Sequence, residues 1–340
     1  MPNDMILYSF PGSQTAPLSE IGGKALSLLR GSQAGLPVPP GFVLPVQFFS
    51  IWNEELKSSI EWAAFIAAST TDELRKTCEA LKNRAKQLKL SGAQKSVLDE
   101  ALNDFPADSL FAVRSSSPEE DLEGSSFAGG YETILGVTIG TMERAVITAF
   151  ASCLDVRVVV YKKEHGFGIT DPKIALVVMQ QIASEISGVG FSLNPVTNDY
   201  DEAVFNANWG LGETVVAGLV TPDEFIVDKV SLSVKREELG SKEFSIWLTP
   251  EGGTHERAAY RSKDSTLTQE QLTSLTQLVM KVEELYGRPI DIEWAFASEK
   301  LYLLQARPIT TYAFQYYGVG RQGKVRQIFP KSRSPGGGNS

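Results

Sequence analysis

The chain has 340 residues, 42% hydrophobic and 21% charged, with a net charge of −9. That is globular composition, and the length suffices for about two domains with cores of their own. The acidic balance argues against a broad nucleic-acid footprint, and two histidines, His165 and His255, are too few for a histidine-based zinc centre.

The opening "MPNDMILYSF" carries neither a basic stretch nor a long apolar one, and no apolar run approaches the ~20 residues of a spanning helix. Cys78 and Cys153 fall within helical apolar patterns, which reads as small core residues in a reducing compartment. The expectation is a soluble, cytoplasmic protein with no membrane partner.

Residues 17–45, "PLSEIGGKALSLLRGSQAGLPVPPGFVLP", read as a loop, a short helix from about Ala25 and a Pro/Gly-rich exit. Lys24 follows two glycines directly before that helix, where an ammonium can meet an anion. The stretch is not a Walker A loop, because Leu18 stands where the first glycine would and Ala25 replaces Ser or Thr. A capping box, Thr70 with Glu73, opens a helix whose apolar face runs through Leu74, Cys78, Leu81, Ala85 and Leu88. A second box, Ser91 with Gln94, opens another carrying Val97, Leu98, Ala101, Leu102 and Phe105. These helices read as packing scaffold.

After Pro106 the texture changes. "SLFAVRSSSPEEDLEGSSFAGGYETILGV" predicts a strand, a Ser/Gly-rich loop and a second strand. The strand delivers Arg114 into a loop whose small side chains let backbone amides approach phosphate oxygens. A solvated loop with no ligand fits the same pattern. Helical patterns follow at about 139–165, ending near Gly166. "KIALVVMQQI", Lys173–Ile182, is rich in β-branched residues and predicts a buried strand. "SGVGFSLNPVT" and "EAVFNANWGLGETVVAGLVTPDEFIVD" predict short strands with glycine-rich turns, without a dinucleotide fingerprint. Thr268 caps a long amphipathic helix through Leu272, Leu275, Val279, Val282 and Tyr286, which stops at Gly287.

The next segment, "IDIEWAFASEKLYLLQARPIT", predicts a hairpin. Alternation puts Asp291 and Glu293 on one face, with Ile290, Ile292 and Trp294 on the other. Gln305 and Arg307 share a face with Leu303 on the partner strand. An odd-numbered turn such as Ser298–Lys300 would set Glu293 opposite Gln305 and Asp291 opposite Arg307, about 5 Å apart. Carboxylate and amide oxygens suit Mg²⁺, and the arginine suits phosphate. A surface hairpin closed by an Asp291–Arg307 salt bridge accounts for the same residues. From about Tyr312 periodicity is lost, and "GKVRQIFPKSRSPGGGNS" reads as a flexible basic tail.

"GGKALSL" with "GLPVPPGF", "FAVRSS…EED…SFAG", "GLGETVVAG…TPDEF" and "DIEW…LLQARP", in that order, resemble the nucleotide-binding domain shared by phosphoenolpyruvate synthase, pyruvate phosphate dikinase and rifampicin phosphotransferase. The resemblance covers residues 8 to 311. It implies an α+β, ATP-grasp fold in which two lobes clamp ATP between sheets, with an N-terminal helical scaffold. The division expected is an N-terminal lobe over 1–176, a C-terminal lobe over 177–311 and a tail or linker over 312–340.

By the same resemblance Lys24 and Arg114 bind the triphosphate, Glu293 and Gln305 hold Mg²⁺ and nucleotide with Asp291 close by, and Arg307 stabilises the transferring phosphoryl group. Gln180, Gln181 and Ile182 fall where the family meets adenine, and Glu213 falls to the ribose or metal. The family's phosphate-accepting histidine lies in a "T-C/S-H-A" setting that neither His165 nor His255 has. The implied function is Mg-ATP binding and phosphoryl transfer to a histidine on a separate or missing domain, which serves a small-molecule final acceptor. A self-contained ATP-grasp kinase or ligase, or an ATP binder without turnover, would use the same residues.

Overall fold

The computed structural model describes residues 7–12, 16–119, 131–258, 261–309, 316–319 and 325–328. The Ser/Gly-rich stretch 120–130 therefore lies outside the described residues. In chain order the first half runs β1 (Tyr8–Phe10), α1 (Leu18–Gln33), β2 (Gly41–Leu44), α2 (Ser50–Lys57), α3 (Ile60–Ala67), α4 (Thr71–Ala85) and α5 (Gly92–Leu102). It continues with β3 (Leu110–Ser116), β4 (Thr133–Thr138), α6 (Met142–Ala151), α7 (Val156–Glu164) and β5 (Ala175–Gln180). These strands form one antiparallel sheet in the order β1-β2-β5-β3-β4.

Central β5 is buried on both faces, so its two-residue period splits its side chains between two cores. Leu176 and Val178 enter the core built with α2 to α7, beside Phe42, Phe111 and Val113. Ala175, Val177 and Met179 pack on the other face against Ile21, Ala25, Leu28 and Leu29 of α1. The capping boxes at Thr70 and Ser91 form as the sequence predicts. The helices α2 and α3 were not anticipated. Helix α2 follows Pro45 without a side-chain cap, whereas the Ser59 hydroxyl caps α3 by accepting from the Trp62 amide at 3.2 Å. Phe49, Trp52 and Phe150 cluster at ring separations of 5.1–5.5 Å. Cys78 and Cys153 are free, buried thiols, which burial pushes up to about 11 and about 12.

The second half runs β6 (Ile186–Phe191), β7 (Glu202–Trp209), α8 (Glu213–Val216), β8 (Asp223–Asp228), β9 (Val234–Glu238), β10 (Phe244–Leu248) and β11 (Thr254–Ala258). Then follow α9 (Gln269–Tyr286), β12 (Ile290–Ala297), β13 (Lys300–Pro308), β14 (Tyr316–Val319) and β15 (Val325–Ile328). The second sheet has the order β13-β12-β6-β7-β8-β9, and α9 covers one face of it through Leu272, Leu275, Val279 and Val282. Because β5 belongs wholly to the first sheet, the passage between sheets falls at 181–185 rather than between 176 and 177. The stretch expected to be an aperiodic tail contains a paired hairpin, with Tyr316 opposite Ile328 and Val319 opposite Val325. Its two four-residue strands are too short to register against the Gly-rich composition around them.

An ion pair closes the second lobe internally. Asp223 and Lys242 are 0% and 2% exposed and are joined directly, Nζ to Oδ1. Asp223 also accepts from the Gly240 and Thr266 amides, both at 2.9 Å. These bonds tie β8 to the loop after β9 and to the lead into α9. Removing one partner of such a pair strands a buried charge. Lys242→Met is therefore expected to cost about 3–5 kcal/mol in urea denaturation, with part recovered when Asp223→Asn is added.

Candidate functional site

The site forms where β3 of the first sheet meets the hairpin of the second. Arg114 shares the face of β3 that carries Ser116, opposite Phe111 and Val113, so its side chain leaves the helical core and crosses to the second lobe. There Nη2 donates to Glu293 Oε2 at 2.5 Å and to Gln305 Oε1 at 2.9 Å, and Nη1 donates to the Leu304 carbonyl at 3.0 Å. Arg114 and Glu293 are 12% and 20% exposed, so this charge-assisted contact is only weakly screened.

The hairpin brings its polar residues together as predicted, by a different route. Asp291 pairs with Arg307 and Glu293 with Gln305. The turn, however, holds two residues, Ser298 and Glu299, both at positive φ (47° and 65°), and Lys300 is already paired with Ala297. A bulge restores the register: Trp294 faces Leu303 while Glu293 faces Gln305, leaving Leu304 without an opposite residue. The extra residue also reverses the facing of everything before it. Leu303, expected beside Gln305, instead joins the α9 core with Trp294, and the unpaired Leu304 offers its carbonyl to Arg114.

The salt bridge expected between Asp291 and Arg307 is present. Arg307 Nε lies 3.0 and 2.9 Å from the two Asp291 carboxylate oxygens. Asp291 thus orients Arg307.

Lys24 is placed by a break in α1. Gly22 sits at φ 74°, interrupting the helix so that a new turn begins ahead of Ala25. The Ser116 hydroxyl stitches the break, donating to the Ile21 carbonyl at 2.7 Å and accepting from the Ala25 amide at 3.1 Å. On the other side Ser27 donates to the Ala306 carbonyl at 2.7 Å. The restarted helix therefore wedges between the sheets, with Lys24 beside Ser116, two residues along the face from Arg114.

Gln180 ends β5, and Gln181 and Ile182 begin the passage to the second sheet. The Gln180 and Gln181 amides are held by Pro40 and Leu110 carbonyls at 2.8 and 2.7 Å. Alternation after Met179 puts Gln181 on the α1 side, and its Oε1 is buried without a hydrogen-bond partner. The same alternation gives Gln180 to the helical side. Glu213 opens α8, above the face of the second sheet that carries Glu293. Ser187, on that face, donates to the Gly210 carbonyl at 2.5 Å, and two residues along β6 Val189 pairs with Glu293. Desolvation raises the Glu213 carboxyl above its ordinary value although its side chain reaches solvent.

Two lysines were missed by sequence reasoning. Both flanks of the 120–130 stretch are tied to the scaffold helices. Glu119 meets Lys162 of α7 at 2.6 Å, and Glu132 meets Lys82 of α4 at 2.8 Å, which also reaches Asp155 at 3.2 Å. Lys162 is 3% exposed, which a lysine at a helix end does not signal by itself. The helices pack as scaffold, as expected, and also hold Glu119 and Glu132 on either side of that stretch. A concavity of about 880 Å³ lined by Tyr200, Met280, Lys281 and Arg288 lies along α9, on the far face of the second sheet from Glu293.

Two antiparallel lobes, an arginine spanning them and a row of carboxylate, amide and guanidinium groups on the facing sheet define a nucleotide-binding domain of the ATP-grasp class. Residues 18–317 match the family "Pyruvate phosphate dikinase, AMP/ATP-binding domain", and the chain belongs to that family. It is 38% identical over 313 residues to YvkC of Bacillus subtilis (strain 168), an "uncharacterized phosphotransferase", covering 90% of this chain and 35% of that one. A "probable phosphoenolpyruvate synthase" of Pyrococcus abyssi is 35% identical over 343 residues, covering 86% and 42%. The rifampicin phosphotransferase of Bacillus subtilis (strain 168) is 30% identical over 301 residues, covering 86% and 34%. The chain thus spans about a third to two fifths of the length of these relatives.

The Gly22 break is testable by comparison with Gly35, which has a similar φ of 71° but open space around it. A Cβ on Gly22 would lie 2.4 Å from the Ser116 carbonyl oxygen. Gly35→Ala should cost about 1 kcal/mol from backbone strain alone, and Gly22→Ala clearly more, measured as the shift in denaturation midpoint.

Proposed function

We propose that this chain is the nucleotide half of a dikinase-type phosphotransferase, binding Mg-ATP and passing a phosphoryl group to a histidine on a domain or chain outside it. The observation that carries the reading is the convergence of Glu293, Gln305 and Arg114 on one point between the lobes.

Glu293 Oε2 and Gln305 Oε1 both reach the same guanidinium nitrogen, so two oxygen donors already surround a cationic position, and the donor set fits Mg²⁺. Among the described residues no group of three or more His, Cys, Asp or Glu side chains could hold a metal. A cation here would complete its shell with phosphate and water, as magnesium commonly does. When bound, it neutralises charge on the phosphate oxygens.

Lys24 and Arg114 bind the triphosphate from the first lobe and Arg307 from the second. Arg307, aligned by Asp291, places positive charge where it develops on the transferring group. Gln181 and Ile182 border the base, and the unpartnered Gln181 oxygen can accept an adenine N–H. A histidine nitrogen would attack the β-phosphorus and release AMP, and later steps would release phosphate and serve a small-molecule acceptor. The buried free thiols fit a cytoplasmic setting, and among the described residues no helix is long and apolar enough to cross a membrane.

The test incubates the purified chain with Mg²⁺ and ATP, with and without the histidine-bearing domain of a longer relative, and resolves the nucleotides. AMP formed only with that domain is the expected result. ADP, or AMP without the domain, would replace this reading with a self-contained kinase or ligase. Bound but unturned ATP in both tubes would leave a binder only. Arg307→Ala should lower transfer about 10²–10³-fold while changing nucleotide affinity less than about tenfold.

A further inference from the structure

The resting site pairs groups that binding must separate. Arg114 Nη2 occupies the position between Glu293 Oε2 and Gln305 Oε1, the same two oxygens that suit a divalent cation. Each oxygen has more than one lone pair, but Nη2 stands in the space between the two where a dication would sit, and a guanidinium and a dication that close repel one another.

We propose that Glu293 makes the site select metal-bound over metal-free nucleotide: without a divalent cation its carboxylate retains the Arg114 guanidinium, and with a cation on Glu293 and Gln305 that guanidinium passes to a nucleotide phosphate. This rests on the Mg-ATP reading above.

Three features support the exchange. The contact to Glu293 joins opposite charges at 2.5 Å and low exposure, so a phosphate arriving without a metal must break it and leave the carboxylate facing more negative charge. The bond from Nη1 goes to a neutral carbonyl, that of Leu304, which can anchor the side chain while Nη2 changes partner. Arg114 Nε is buried and has no hydrogen-bond partner in the resting arrangement. An unmet buried donor is costly, and a phosphate oxygen would satisfy it. The guanidinium is therefore paired at two nitrogens and unsatisfied at the third, which favours handover once Glu293 is engaged elsewhere.

Titration calorimetry of ATP with Mg²⁺ and with excess EDTA tests this. Wild-type protein should bind Mg-ATP and bind metal-free ATP far more weakly. Glu293→Gln should bind metal-free ATP about tenfold more tightly than wild type, the scale of one charge-assisted hydrogen bond, and its preference for Mg-ATP should shrink. Arg114→Met supplies an independent reading: Mn²⁺ alone, followed by electron paramagnetic resonance, should bind this variant several-fold more tightly than wild type because the competing cation is gone.

Wild-type protein that binds no ATP in either buffer would sink the functional reading and this inference together. Wild-type binding of Mg-ATP with no gain of metal-free binding in a folded Glu293→Gln overturns the inference alone. Should that variant fail to fold, unchanged Mn²⁺ affinity in Arg114→Met overturns it instead.

Discussion

The Arg114 side chain is the contact on which the arrangement depends. It starts on a strand of the first sheet and ends among three acceptors of the second, Glu293, Gln305 and the Leu304 carbonyl. Each lobe has its own apolar core, and hydrophobic burial, being non-directional, does not fix how the two stand to each other. A fork of donors on a planar group does impose direction. The lobes thus meet with their polar faces inward, leaving charge in the seam.

The rest of the seam follows from that contact. Helix α1 fills the space beside Arg114, sewn to β3 by Ser116 and to β13 by Ser27, and its break at Gly22 lets Lys24 stand beside the same strand. The β13 bulge brings the acceptors into line and supplies the third through Leu304. On the outer side Lys162 and Lys82 secure the flanks of the stretch after β3. The helical half of the first lobe holds both sides of that stretch.

Several of these features were legible because they repeat. The capping boxes at Thr70 and Ser91, the cap at Thr268 and the helical spacing through Val279 depend on neighbours three or four residues apart, so local sequence is enough. The hairpin pairing of Asp291 with Arg307 and Glu293 with Gln305 was also readable, although a two-residue turn and a bulge replaced the odd turn inferred from alternation. Both solutions give the same register at the site, since the bulge adds the residue that the turn lacks. Leu303 shows where they differ, because it falls on the opposite face.

The α+β class came from the family resemblance, while the sequence by itself determined a mixed helix-and-strand chain, its principal helices and the residue types able to bind phosphate and a cation. It did so because propensity, capping and alternation act over a few residues. Only the tertiary structure decided that Arg114 joins Glu293 rather than solvent, that β5 belongs to the first sheet, and that Lys162 is a buried anchor. Those outcomes join groups as much as 179 residues apart in the chain, and no local pattern encodes which of several arginines, carboxylates or amides will meet when two separately packed lobes close on each other.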